Sequence, residues 1–266
     1  MEQQTMSGVN YDFLWNGDSR VTNWPLMSSP LPLIAILTTY LLIIYRFGPA
    51  YMENRKAYNL KWLLACYNLA QVAVCCYIII GLVSNEFNVI KFWKCQSVDY
   101  KNSLKATTAL TYTYQTFLLK LAELVETVFF VLRKKQNQVS KLHVYHHVST
   151  ATLAWILVKY TAGGMVLFSV VINSSVHVIM YSYYFAALFG PEVQRKLEGI
   201  KKNITLIQMI QFTIILIQCA LALVRGCEVP KLLMAIYVPN VVLIFYMFYG
   251  FFNKAYTKKS YSTKGN

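Results

Sequence analysis

Six apolar segments, each long enough to cross a lipid bilayer, divide this chain. A transmembrane α-helix needs roughly 17 to 25 mostly apolar residues, because it must span the hydrocarbon core while satisfying its own backbone hydrogen bonds. The segments are residues 30–47, 60–83, 110–132, 165–188, 204–224 and 232–252. A seventh segment, 143–158, is shorter and polar at its start. The pattern predicts an all-α polytopic membrane protein whose seven transmembrane helices form one domain, residues 30–252.

Composition argues against a soluble globular protein. Hydrophobic residues make up 56% of the 266 residues and charged residues only 14%, whereas soluble domains have about 25% charged residues. A single soluble core would leave much of this apolar surface in contact with water.

Basic residues are concentrated in alternate loops, which predicts the orientation of the chain. One set of loops contains basic clusters at 133–135, 195–196 and 201–202, whereas the opposite set mixes basic and acidic residues. By the positive-inside rule the basic side is cytosolic, so residues 1–29 form a lumenal tail and residues 253–266 a basic cytosolic tail. A basic membrane face suits anionic lipids and polyanions such as CoA, and we expect no nucleic-acid partner.

Two of the six cysteines, Cys95 and Cys227, fall in loops on the predicted lumenal side. Because the lumen is oxidising, we expect a disulfide between them, and the alternative is two unpaired thiols. The other four cysteines lie within apolar segments, where a free cysteine usually packs as a small hydrophobe.

Ionisable side chains inside a membrane are costly, so the residues that interrupt the apolar segments are the most informative. All four histidines of the chain do so: His143, His146 and His147 in one segment and His177 in the next. A lone histidine in an apolar helix is usually a hydrogen-bonded core residue, but a cluster of four favours a functional site.

Other polar residues share helical faces with these histidines, since positions three or four apart lie on one side of a helix. The residues concerned are Lys120, Glu123 and Thr127, with Glu126 beside them; Asn173, Tyr181 and Tyr184 around His177; and Gln208 and Gln211. On the predicted topology, with a rise of about 1.5 Å per residue, all of them lie in the cytosolic half of the membrane. The sequence therefore predicts one polar site formed by four helices.

Four ordered motifs contain these residues. They are KLAELVET (120–127), HVYHH (143–147), NSSVHVIMYSYY (173–184) and TLIQMIQF (205–212). A lone HxxHH motif is weak evidence, but together the four resemble the signatures of the very-long-chain fatty acid elongase family, in particular its metazoan, insect-like members. One departure is Glu126, where the family usually has Asp.

The resemblance implies an enzyme of the endoplasmic reticulum membrane. Its expected reaction is that of a 3-ketoacyl-CoA synthase, which condenses acyl-CoA with malonyl-CoA and releases CoA and CO2 without a cofactor. The product would pass to 3-ketoacyl-CoA reductase, 3-hydroxyacyl-CoA dehydratase and enoyl-CoA reductase, with which the chain is expected to associate. The resemblance also allows a homo-oligomer, and we expect the central helices to enclose a closed-ended tunnel for the acyl chain.

The polar clusters contain no cysteine, so we expect an imidazole to be the nucleophile. Our hypothesis assigns the acyl group to His146 and the second substrate to His177, with His143 in the same catalytic cluster. Oxyanion donors are expected among Asn173, Tyr181, His147 and Gln208. Glu123 or Glu126 would set a histidine tautomer. The remaining substrate-binding positions are Lys120, Thr127, Tyr184 and Gln211.

Simpler interpretations exist for several of these residues. Lys120 and Glu123 would alternatively form only a buried ion pair, the tyrosines would only pack, and the glutamines would only join helices.

Three alternatives remain for the whole chain. Membrane di-iron enzymes also carry HxxHH, but they need about eight histidines, so we expect no catalytic metal. A seven-helix receptor or transporter would bind a ligand without chemistry. A non-catalytic relative of the elongases would keep the motifs without turnover.

Overall fold

Seven long helices make up most of the protein in a computed structural model that describes residues 17–85, 87, 91 and 93–257. They are α1 (Leu31–Met52), α2 (Lys61–Ser84), α3 (Leu104–Leu132), α4 (Lys141–Thr161), α5 (Val166–Ala186), α6 (Pro191–Val224) and α7 (Lys231–Phe252). A π-helical turn, Ile43–Phe47, lies within α1. No β-strand occurs in these described ranges. The predicted all-α fold class is confirmed.

Five of the seven helices, α1, α2, α5, α6 and α7, are long and apolar enough to cross a membrane. The exceptions are α3, which carries Lys120, Glu123 and Glu126, and α4, which carries three of the four histidines. Their lengths of 29 and 21 residues still correspond to roughly 43 and 31 Å, enough to span a bilayer. A multi-pass membrane protein is therefore supported, and the count of seven transmembrane helices stays a prediction.

Several helices begin before the apolar segments that predicted them. In α3 the helix starts at Leu104 instead of residue 110, because Ser103 caps it by accepting a hydrogen bond from the Ala106 amide (3.1 Å). Helix α6 starts at Pro191 instead of residue 204, directly after Gly190, whose φ of 113° is not helical. Positive φ favours glycine. Polar helix ends thus lie outside the hydrophobicity signal.

The helices pack so that α3 contacts α1, α2, α4 and α5, and further pairs form between α2 and α5, α6 and α7, and α4 and α7. One apolar core joins α1, α3 and α4 through residues such as Ile44, Phe117 and Trp155. Large apolar side chains on the outer surfaces remain exposed, among them Trp62 at 77% and Tyr246 at 70%. Such outward apolar surface is expected of helices that face lipid.

One end of the bundle, which we call the disulfide end, is closed by its loops and by the start of the described chain. Cys95, between α2 and α3, is joined to Cys227, between α6 and α7, by a disulfide with 5.3 Å between the Cα atoms. These are the two cysteines that the sequence pairs. Arg225 donates to the Trp93 carbonyl across the same two loops.

The segment before α1 also packs at the disulfide end. The Asp18 amide donates to the Lys159 carbonyl (2.7 Å), and the Lys159 ammonium donates to the Met27 carbonyl (3.0 Å). Residues 17–29 of the predicted tail therefore lie against α4. Residues 1–16 and 258–266 of the two predicted tails fall outside the described residues.

The opposite end, which we call the basic end, holds the loops after α1, α3 and α5 and the end of α7. The Tyr58 amide donates to the Leu132 carbonyl (3.1 Å), and Lys134 donates to the Glu53 carbonyl (3.2 Å). Exposed basic residues at this end include Arg55, Lys135 and Arg195.

Candidate active site

A buried ion pair on α3 anchors the polar interior. The Lys120 ammonium donates to both carboxylate oxygens of Glu123, at 2.9 and 3.1 Å. Lys120 is 5% exposed and Glu123 is fully buried. One turn of helix separates the two residues, so they pair locally, as an apolar environment requires of buried charges.

The Glu123 carboxylate also contacts two other helices. Its Oε1 lies 3.1 Å from Nδ1 of His177 on α5, and its Oε2 lies 3.9 Å from Nδ1 of His147 on α4. The second carboxylate, Glu126, places an oxygen 3.8 Å from Nε2 of the same His147. Glu123 thus brings α3, α4 and α5 together around one negative charge.

A hydrogen-bond chain orients His143. Its Nε2 shares a hydrogen bond with the Thr127 hydroxyl (2.9 Å), which in turn bonds the Tyr40 hydroxyl of α1 (2.8 Å). The His143 and His147 rings lie with centroids 4.3 Å apart. Tyr40 is a member of the site that the sequence motifs did not indicate.

His146 differs from the other histidines because its ring has no hydrogen-bond or ion-pair partner among the described residues. It contacts the His147 ring (centroids 5.3 Å apart) and the Phe248 ring of α7 (6.0 Å). Its backbone carbonyl accepts from the Thr150 hydroxyl (2.7 Å). An imidazole of this kind keeps a nitrogen lone pair available.

The structure gathers most of the predicted residues into one place, which we call the histidine centre: Lys120, Glu123, Glu126, Thr127, His143, His146, His147 and His177. Tyr181, fully buried, follows His177 by one turn with ring centroids 5.6 Å apart.

Other predicted residues lie around this centre without a hydrogen bond to it. Asn173 is half-buried one turn before His177. Gln208 donates to the Met180 sulfur (3.4 Å), Gln211 is buried on α6, and Tyr184 is 37% exposed beyond Tyr181. Their predicted roles in binding substrate stay predictions.

The structure adds polar residues of α2 and α7 that the motifs missed. On α2, Asn68 and Gln71 are buried and the Tyr67 hydroxyl is shielded from solvent. On α7, Asn240 accepts a hydrogen bond from Tyr145 of α4 (2.8 Å). The spacing of Tyr67 and Gln71, four residues apart in an apolar segment, was an available signal for the first group.

Three side chains of the centre could hold a metal ion by proximity alone. Glu126, His143 and His147 bring donor atoms within 4.8 Å of one another. Ligand distances of about 2.0 to 2.2 Å would require these side chains to move closer. Three residues are also far fewer than the ligands of a di-iron site. The absence of a catalytic metal stays a prediction.

An apolar pocket lies between the histidine centre and the disulfide end. Side chains of α4, α5, α6 and α7 line it, together with both disulfide-linked loops; they include Leu157, Ser169, Cys219, Val229 and Leu233. Leu157 is eleven residues beyond His146 on α4, which is about 16 Å along the helix. The pocket lining is mostly apolar, and it includes no residue of the histidine centre.

Comparison with known proteins identifies the family. Residues 25–264 match the model of the family described as ELO: GNS1/SUR4 family. The chain is 38% identical over 256 residues to very long chain fatty acid elongase 4 of Mus musculus, covering 96% of this chain and 81% of that protein. It is 37% identical over 246 residues to elongase 1 of Homo sapiens, covering 91% and 88%.

A third relative is very long chain fatty acid elongase 7 of Drosophila melanogaster, 37% identical over 254 residues and covered to 76%. The predicted family is confirmed. With three of its four motifs meeting in one buried centre and residues 25–264 matched, this chain belongs to the ELO (GNS1/SUR4) family.

Proposed function

We propose that this protein is a fatty acid elongase that condenses a long-chain acyl-CoA with malonyl-CoA to give 3-ketoacyl-CoA, CoA and CO2. The observation that carries the proposal is the Glu123 carboxylate, which contacts Lys120, His147 and His177 in the interior of an apolar bundle. The relatives' names support elongation. An ionised cluster at this depth is costly and needs a function to explain it.

In the first step His146 attacks the acyl-CoA thioester carbon. The carbon–sulfur bond breaks, an acyl-imidazole forms, and the proton of the other imidazole nitrogen leaves with the CoA thiol. The support is that the His146 ring lacks a hydrogen-bond partner in the described chain and that the two buried free cysteines pack in apolar clusters, Cys75 with Ile78 and Cys219 with Phe212. An acyl-imidazole stays reactive enough to continue.

In the second step malonyl-CoA loses CO2, and the electron pair of the broken bond forms an enolate. The enolate carbon attacks the acyl carbon, the carbon–nitrogen bond breaks, and the imidazole takes up one proton. His177 is suited to position the second substrate because its Nδ1 faces Glu123, which leaves Nε2 free to interact with substrate. His147 and Asn173 remain proposed donors, with Gln208, Gln211 and Tyr184 as proposed substrate contacts.

The two ends of the bundle suit the two parts of an acyl-CoA. The acyl chain would occupy the apolar pocket toward the disulfide end, and the CoA phosphates would remain near the basic end. A disulfide suits an oxidising lumen, so we place the protein in the endoplasmic reticulum membrane with the disulfide end lumenal and the C-terminus cytosolic. The 3-ketoacyl-CoA product would then be released to the reductases and dehydratase of the elongation cycle.

The proposal is tested by the intact mass of purified protein after incubation with long-chain acyl-CoA, followed by peptide mapping and a chase with malonyl-CoA. We expect one acyl adduct on His146 that disappears as 3-ketoacyl-CoA forms. The control is Cys66→Ser, because an exposed thiol can be acylated without catalysis.

Product without an adduct would retain the elongase and reject the acyl-imidazole. No product from acyl-CoA substrates over a series of chain lengths would reject the proposed function and favour a binding protein or a non-catalytic relative.

A further inference from the structure

Two tyrosine hydroxyls beside the histidine centre make no hydrogen bond of good geometry within the part of the chain that the structure describes. Tyr67 on α2 and Tyr181 on α5 pack edge to face, with ring centroids 5.9 Å apart. Both hydroxyl oxygens are shielded from solvent. A hydrogen bond between the two would still leave one O–H to pair, and the neighbouring Glu126 carboxylate does not accept from Tyr181 at good hydrogen-bond geometry. Unpaired buried groups are rare in folded proteins and call for an explanation.

The pair lies at about the same depth as His146, which is five residues into α4 and so also about 8 Å from the basic end. Tyr67 is six residues into α2 and Tyr181 five residues before the end of α5, so each is about 8 to 9 Å from the basic end of its helix. Tyr181 contacts the His177 ring (centroids 5.6 Å apart), and Tyr67 contacts Phe129 of α3 (5.4 Å). His146 instead faces Phe248 on α7. The hydroxyls are therefore associated with His177 and not with the proposed nucleophile.

We propose that Tyr67 and Tyr181 donate hydrogen bonds to the thioester oxygen of malonyl-CoA and stabilise its enolate. This inference rests on the proposed condensation. When the bond to the departing CO2 breaks, its electron pair moves into the thioester and places negative charge on that oxygen. Fixed donors in a water-poor site stabilise such a charge strongly, because no reorganisation is needed as it develops.

The position of the pair also explains why two donors are unpaired. A substrate whose CoA enters from the basic end would bring its thioester to the depth of the acylated histidine, where the two hydroxyls lie. The hydroxyls would then find their acceptor only in the second half-reaction. Tyr67 is thus a catalytic residue on a helix that none of the four sequence motifs includes.

The test compares Tyr67→Phe, Tyr181→Phe and the double variant in the full-length protein. The acyl-enzyme is formed first, and its decay is then followed in a single turnover with malonyl-CoA. The rate constant per adduct does not depend on the yield of folded protein. We expect adduct formation at the wild-type rate and a condensation step slower by about 10²-fold for each single variant. The control is Tyr77→Phe, which removes an exposed hydroxyl from the same helix.

Equal slowing of both half-reactions would overturn the proposal, since it would mean that the hydroxyls only support the centre, for example through the neighbouring Glu126. Unchanged condensation in both single variants would overturn it as well. If Tyr67→Phe gives no adduct, Tyr181→Phe decides by the same comparison, and loss of adduct in both again overturns the proposal.

If wild-type protein condenses without an adduct, kcat is compared instead, with the same expected loss. A wild-type protein that makes no 3-ketoacyl-CoA would be a failure of the proposed function, and it is distinguishable because it precedes any variant.

Discussion

The histidine centre and the disulfide end are stabilised in opposite ways. Around the centre, side chains of α3, α4 and α5 meet through ion pairs and hydrogen bonds to Glu123 and Thr127. At the disulfide end the contacts are a covalent bond, hydrogen bonds to backbone carbonyls, including those from Lys159 and Arg225, and apolar packing around a pocket. The difference indicates a division of labour along the helix axes. On the proposed function, one region would perform the chemistry and the other would hold the apolar chain and limit its length.

The largest effect is expected at Glu123. In Glu123→Gln the Lys120 ammonium loses its counter-ion, and breaking a buried pair costs about 3–5 kcal/mol. We expect turnover to fall by about 10²- to 10⁴-fold, because His177 loses the carboxylate that fixes its tautomer. Condensation rate and thermal unfolding in detergent measure the two effects.

The matched control for Glu123→Gln is the neutral double variant Lys120→Met with Glu123→Gln. It should recover stability and not turnover. Recovery of turnover would show that the pair has only a structural role.

The disulfide should affect stability and not chemistry. Replacing Cys95 and Cys227 by serine removes a link between loops 132 residues apart and should lower the free energy of unfolding by about 2–4 kcal/mol. The rate of acylation of the folded fraction should not change. Thermal unfolding, with Cys66→Ser as control, measures the change in stability. The initial rate of adduct formation measures acylation. A large loss of adduct rate would contradict the division between the two regions.

Filling the pocket should change chain-length preference and not maximal rate. Ala222→Phe places a ring in a wall of the pocket, so the longest acyl chains lose their terminal contacts. Each excluded methylene should lower kcat/KM by roughly fourfold, which corresponds to about 0.8 kcal/mol. A series of acyl-CoA substrates measures the effect, and Leu223→Phe on the exposed side of the same helix is the control. Uniform loss for all lengths would contradict an acyl role for the pocket.

A smaller effect is expected for the chain that supports His143. Tyr40→Phe removes one hydrogen bond to Thr127, worth about 1 kcal/mol. Turnover should fall about fivefold or less, with chain-length preference unchanged. Steady-state kinetics on two acyl-CoA substrates of different length measure turnover and chain-length preference. A shift in preference would contradict the separation of the histidine centre from the pocket.

Metal removal should have no effect. We expect chelation to leave condensation unchanged and elemental analysis to find no stoichiometric transition metal. Loss of activity on chelation, restored by one metal, would instead assign an ion to Glu126, His143 and His147, whose donor atoms lie together.

Local periodicity predicted the parts of this site that are close in sequence. Lys120 pairs with Glu123 because residues three apart share a helical face. The same periodicity predicted that His143 lies beside His147, four residues away. The apolar segments predicted the helices, although polar ends such as residues 191–203 carry no hydrophobicity signal.

Contacts between helices were harder to predict from the sequence. Whether Tyr67 faces Tyr181 depends on how α2 packs against α5, and single-helix patterns contain no such information. For Gln208 the motif predicted a place in the polar site, whereas the structure places its side chain against the Met180 sulfur. Tyr40 is one of four hydroxyl-bearing residues in the apolar segment 30–47, and nothing in their spacing singles it out.

The link between Cys95 and Cys227 also marks the progress of biogenesis. The two thiols are 132 positions apart, so they meet only after four intervening helices have been made and the sixth has been threaded through the bilayer. Oxidation therefore records that the first six helices have been made, before α7 is added. Chains arrested during synthesis before residue 227 should remain reduced. A mobility shift on a non-reducing gel would show when the disulfide forms in the newly made protein.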